Sequence, residues 1–372
     1  MIPDLIPAVD AAGLPGPVWL FQFLLIFTFF LHLLFMNLTL GGTLLAAVSH
    51  TLAGGRGDDP RGVLAKRLIG INGYGISMTI TTGVAPLLFI QLLYHQFFYT
   101  ATILIGGMWL SLLLLLTIGY YAVYLYKFKG APARGHGGGA WLWTAAILFM
   151  VIGAIQVAVN LIHMQPGTWQ ALAGNPWAIL HDPTFIPRYL HFLLAGVAMS
   201  AMVVTWWAVR QSRRGIDPDL NGAIARFAWK WVLWASVLQI ADGLWLTMAL
   251  PKEVLLGLMR GGGATMGPFT VGILFGIGIL VMVARCTDPV SRPALVTATL
   301  GTTLATMAIM VVTRDQLRSI YMGSSVDLSQ FVIRAQWGNF VLFAILLIIG
   351  LATVYYMVRR VLGEPAEGPD AA

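Results

Sequence analysis

About nine times along this chain a run of roughly 20 or more mostly apolar residues appears, the length a helix needs to cross about 30 Å of hydrocarbon. The runs cover approximately 18–48, 68–94, 99–126, 141–164, 187–209, 227–250, 267–285, 291–313 and 332–358. Only 10% of the residues are charged, against about 25% in an ordinary soluble domain. The mean hydropathy is +0.80. The fold class expected is an all-α integral membrane protein, a bundle of about nine transmembrane helices. It forms a single membrane domain over 1–372, with a short outer segment at 1–17 and a cytoplasmic tail at 361–372.

The basic residues orient the bundle. Most of the 22 Lys and Arg fall in the loops after spans 1, 3, 5 and 7 and at the C-terminal end, for example Arg61, Lys66, Arg67, Arg134, Arg213 and Arg359. The positive-inside rule then predicts the N-terminus outside and the C-terminus in the cytoplasm. This bias accounts for the formal charge of +7 and removes the case for a nucleic-acid partner. The first 17 residues carry Asp4 and Asp10 and no basic residue, so span 1 reads as a retained helix and not as a signal peptide. The one cysteine, Cys286, excludes an internal disulfide, an iron–sulfur cluster and a covalent c-type haem attachment within this chain.

An ionisable residue inside a membrane span is costly and reads as a functional site. His32 and His191 are two such residues, and their uses are a haem iron ligand, a proton relay, or a histidine merely hydrogen-bonded in the bundle. His95, His163 and His181 also fall in the membrane or near its outer face, whereas His50 and His136 fall at the cytoplasmic loops. Arg188 precedes His191 by one helical turn, so its guanidinium projects beside the imidazole and suits a carboxylate. Asp242 in span 6 is the clearest intramembrane acid: a proton relay with His32, an acceptor that fixes a histidine tautomer, or a partner for a buried arginine. Arg314 and Arg318, one turn apart at the outer end of span 8, offer two cations for propionates or form a snorkelling interfacial pair. Among the 16 methionines, Met164 and Met266 are candidate thioether ligands beside His163, although most methionines in a bundle only pack.

Several of these segments resemble subunit I of the cytochrome bd quinol oxidases. Leu31-His-Leu-Leu-Phe-Met-Asn-Leu-Thr-Leu-Gly41 is similar to that family's first helix, and Gly70-Ile-Asn through Thr82-Gly83 to its second. Asn160-Leu-Ile-His-Met-Gln-Pro-Gly167 resembles the close of its fourth helix, and Asn175-Pro-Trp through Arg188-Tyr-Leu-His191 its low-spin b-haem segment. Asp242-Gly243 is similar to a Gly-Asp pair in its sixth helix. The resemblance implies haem ligation by His32 and His191, one or two haem b groups, a quinone as a further ligand, and a bacterial inner-membrane location.

The chain also departs from that family. Only Pro251 to Met266 separate spans 6 and 7, where the family has a long quinol loop. Gly272 and Leu274 stand where the family has Arg and Met, Val84–Gln91 lacks an acid, and Arg314 stands about where the family has a glutamate ligand. Terminal oxygen reduction is therefore not expected. The function expected is a haem-b-binding electron-transfer subunit of a quinol-linked oxidoreductase, passing electrons between the quinone pool and an outward-facing partner such as a c-type cytochrome, alongside other membrane subunits. The alternative is a haem-poor subunit that anchors a membrane complex. A third reading is a proton or ion conduit through His32 and Asp242.

Overall fold

The computed structural model describes residues 6–7, 13–129, 138–328 and 331–363. Asp4, Asp10, the glycine-rich segment 130–137 with His136, and the tail beyond Gly363 lie outside the described residues. Nine helices among the described residues are long and apolar enough to span a membrane. They are α1 (Val18–Leu52), α2 (Pro60–Leu93), α4 (Gly106–Lys129), α5 (Gly139–Met164), α7 (Phe185–Arg213), α8 (Pro218–Ala249), α10 (Gly263–Ala284), α11 (Pro293–Met322) and α12 (Trp337–Gly363). Three short helices, α3 (His95–Leu104), α6 (Trp169–Gly174) and α9 (Lys252–Arg260), lie between them. The one extended pairing among the described residues is a parallel bridge between Leu14 and Ile333, which ties the segment before α1 to the segment before α12.

Local chemistry sets most boundaries. Proline occupies the first turn of α2, α8 and α11, where its missing N–H costs nothing. Asp59 caps α2 by accepting the Arg61 N–H at 2.8 Å, and the Arg61 guanidinium closes on the same carboxylate at 2.7 Å. α1 stops before Gly54 and Gly55, both at positive φ. The third apolar run differs from expectation. It breaks at Ile105, so that α3 stands apart and only α4 spans, because Gly106 and Gly107 weaken the helix at that point. The short connection between spans 6 and 7 forms the amphipathic helix α9.

The Arg61 guanidinium beside Asp59 holds that carboxyl down at about 2, against 3.8 for the free group. A carboxyl depressed in the folded state stabilises it above the unfolded value and ceases to do so as pH falls through the folded value. The first turn of α2 is therefore expected to lose hydrogen-exchange protection between about pH 4 and pH 2. In Asp59→Ala the protection should already be low at neutral pH, with a cost of about 1 kcal/mol typical of a lost cap. Equal protection in the two proteins at pH 7 would contradict this.

The interior is built around α1, which packs against α2, α5, α7 and α11. It meets α7 backbone to backbone at Gly41 and Gly196. A Cβ placed on Gly41 would stand 2.0 Å from the carbonyl oxygen of Gly196. Backbones come this near only where small residues face each other, the usual device for joining helices in lipid. Polar groups add to the seams. Ser200 Oγ donates to the Asn37 carbonyl at 2.9 Å, Asn72 Nδ2 to Thr43 Oγ1 at 2.7 Å, and the Thr39 and Thr79 hydroxyls meet at 2.9 Å. Large apolar side chains cover the outside of the bundle, among them Ile71, Leu113, Leu244 and Ile348. Such a surface is stable in lipid and not in water, and the protein is a multi-pass membrane protein. α12 is the most exposed span, with nothing buried in its apolar window. It is joined near its start by Phe343 packed edge-on to Phe89 of α2.

Candidate functional site

His32 and His191 are each held by the helix next to their own. The His32 ring of α1 lies on Gly83 of α2, where a Cβ would approach its Cε1 to 2.9 Å. Its Nδ1 lies 3.0 Å from the Thr79 carbonyl oxygen. A carbonyl cannot donate, so Nδ1 carries the proton and Nε2 keeps the lone pair. The His191 ring of α7 lies against Gly243 of α8, with a would-be Cβ 3.4 Å from Cε1. Its Nδ1 meets Asp242 Oδ2 at 3.0 Å. The Asp242 side chain is 6% exposed and the His191 side chain 32%. In both cases a glycine makes room for the ring, a partner helix fixes Nδ1, and Nε2 is the nitrogen left for a metal.

A cationic cluster surrounds the ends of α7 and α11 on the side of the bundle where α1 begins. Arg188 is buried, one turn before His191, with its guanidinium 5.8 Å from the Tyr321 ring centre. Arg314 donates through Nη2 to Asn160 Oδ1 of α5, and its Cζ lies 4.4 Å from the centre of the Phe29 ring. Phe29 in turn contacts the His32 ring. Arg318 is 2% exposed; it donates to Asp315 at 2.6 Å and lies over Tyr94. Enclosed donors remain without partners at Arg188 Nε and Nη2, Arg314 Nε and Arg318 Nε. Enclosed donors without a partner are costly, and these four nitrogens suit carboxylate oxygens.

Of the other predicted ligands, His163 lies near Arg314, Arg318 and Arg188, whereas Met164 and Met266 fall elsewhere. His163 is buried; its Nδ1 bonds the Val159 carbonyl one turn back in its own helix, and its Nε2 is enclosed without a partner. Met164 packs in the apolar core beside Leu161 and Trp169 and lines a cavity of about 470 Å³ with Lys252, Glu253 and Tyr321. Met266 is half-buried in the first turns of α10. Among the described residues no three His, Cys, Asp or Glu come together as a metal cluster. Asp242 is engaged by His191, which favours its reading as a tautomer-fixing acceptor over a relay with His32.

Some participants escaped sequence reasoning. Thr79 and Phe29 carry no chemical signature on their own, and Gly83 and Asn160 appear only as parts of the resembling segments. Met307 and Met310 do: with Arg314 and Arg318 they follow an i, i+3, i+7, i+11 pattern on α11, one face of a helix. Met307 Sδ accepts from Asn37 Nδ2 at 3.3 Å, and Met310 fills the space at Gly272.

The helices and the site together define an all-helical membrane bundle with two intramembrane histidines of matching ring geometry. No protein-family profile and no curated protein sequence matches the chain. Its architecture is similar to that of a solved structure, the bd oxidase from Geobacillus thermodenitrificans, with a TM-score of 0.76 at 14% identity. The match covers 94% of this chain and 99% of that one. At that identity the likeness is one of fold, and the fold is bd-oxidase-like.

Proposed function

We propose that this chain is a haem-b-binding electron-transfer subunit of a bacterial inner-membrane complex, its 372 residues acting as one membrane domain. It would pass electrons between the quinone pool and an outward-facing redox partner such as a c-type cytochrome. The observation that carries the reading is the shared geometry of His32 and His191, each with Nδ1 bonded to a neighbouring helix and Nε2 free. That arrangement is how a protein prepares an imidazole to ligate iron. The unpartnered donors of Arg188, Arg314 and Arg318 fit the two propionates of a haem.

Haem, when bound, supplies one-electron exchange between Fe(III) and Fe(II). The chain's own residues do the rest. Asp242 and the Thr79 carbonyl orient the imidazoles, the glycines under them set how deep the rings sit, and the arginines neutralise carboxylates in a dry pocket. His163, Met164 and Met266 stand as candidates to complete an iron. Oxygen reduction is not proposed, since Val84–Gln91 lacks an acid and Arg314 stands about where the resembling family has a glutamate ligand.

A second reading has support from α12, whose wholly exposed apolar window suits a chain that anchors other membrane subunits without redox work of its own. The two separate on one experiment. The purified chain in lipid nanodiscs is mixed with a short-chain quinol and then with ferricytochrome c. A b-type band should grow on the first addition and fade on the second. A chain whose spectrum responds to neither is an anchor.

A further inference from the structure

The two histidines match in nitrogen geometry and differ in the charge around them, a difference with a redox consequence only if both hold haem. On the α7–α8 side, His191 Nδ1 faces the Asp242 carboxylate at 3.0 Å, and one cation, Arg188, stands a turn away in the same helix. The Asp242 carboxylate is the charge in direct contact with the ring there. On the α1–α2 side, His32 Nδ1 faces the neutral Thr79 carbonyl at the same distance. The ring's neighbour Phe29, 6.3 Å away between centres, carries the Arg314 guanidinium on its face. Arg314 bonds the neutral Asn160 amide, and its Nε is enclosed without a partner. The one acid beside it in sequence, Asp315, is taken by Arg318 at 2.6 Å. The His32 side therefore holds a cation with no carboxylate of its own.

Reduction removes one positive charge from an iron porphyrin. A fixed cation nearby favours the reduced form, and in a medium of low dielectric its influence reaches further than in water. A carboxylate on the distal N–H of the ligating imidazole raises the basicity of the other nitrogen and favours the oxidised form. We propose that Asp242 and Arg314 split the potentials of the two sites, Asp242 holding the His191 site towards Fe(III) and Arg314 holding the His32 site towards Fe(II). Were a haem held at each histidine and one electron shared between them, the electron would rest at the His32 site, the His191 site being oxidised as the His32 site is reduced. No atom or proton moves, and no outside oxidant is needed.

The test is a spectroelectrochemical titration of the full chain in nanodiscs, with each optical component assigned by its loss in His32→Ala or His191→Ala. The higher midpoint should belong to the His32 component. Arg314→Gln should lower it so that the intersite constant falls about tenfold, ~59 mV for one electron, while Arg314→Lys keeps it. Asp242→Asn should raise the lower midpoint. If Arg314→Gln does not accumulate, Arg314→Lys and Asp242→Asn carry the test. A higher midpoint at His191, an Arg314→Gln midpoint that stays in place, or a single b-type transition overturns the inference. Two well-separated bands that ignore these variants leave the haem reading standing and this one refuted, whereas the absence of any b-type band refutes both.

Discussion

Replacing His191 by alanine is expected to strip its haem from the chain, with near-complete loss of one b-type component from the reduced-minus-oxidised spectrum. The bundle should survive the change. The ring packs on Gly243 and bonds only Asp242, so its removal leaves the α1–α7 crossing and the core clusters untouched. Asp242→Ala should act in the same direction and less severely, because the imidazole remains but loses what fixes its tautomer. Loss of such a supporting partner typically costs about 10–100-fold in metal affinity. Size-exclusion profiles and melting in detergent serve as the control. An unchanged spectrum in His191→Ala would mean that this ring holds no iron.

Gly41→Ala is expected to be among the most damaging single changes in the chain, although it adds only a methyl group. That methyl would stand 2.0 Å from the Gly196 oxygen and 2.1 Å from its carbonyl carbon. Both atoms belong to the backbone and cannot rotate away, so the helices must part. Overpacking typically costs about 1–3 kcal/mol. Here the Ser200–Asn37 hydrogen bond across the same seam would lengthen too, which puts the cost at the upper end. Gly42→Ala is the internal control. Its nearest neighbour would be Ser200 Oγ at 3.8 Å, an ordinary contact, and it should melt close to the wild type. Equal melting of the two variants would show that α1 and α7 do not cross as described.

The spans were legible in the sequence because lipid demands long unbroken apolar runs, and few alternatives meet that demand. The break at Ile105 was not, since Gly106 and Gly107 sit inside a run that stays apolar throughout. His32 and His191 stood out because an imidazole among leucines and phenylalanines is costly. Their partners did not stand out. Asp242 is 51 residues from His191, and only the packing of α7 on α8 reveals which acid meets which ring. The Thr79 carbonyl is a backbone atom that every residue possesses, so no side-chain pattern could announce it. The arginines were visible as charges near span ends, but the orphaned donors that distinguish a receptor from a snorkelling pair are visible only in three dimensions. Only position sets Met164 and Met266 apart from the other methionines. The face of α11 that carries Met307, Met310, Arg314 and Arg318 was there to be read by helical spacing.

The most direct test is the haem content of the purified full-length chain, quantified as the pyridine haemochrome after expression with haem in supply. The account predicts at least one haem b per chain, falling to none in the His32→Ala, His191→Ala double variant while that protein still folds and inserts. A well-folded wild-type chain that carries no haem b would contradict it.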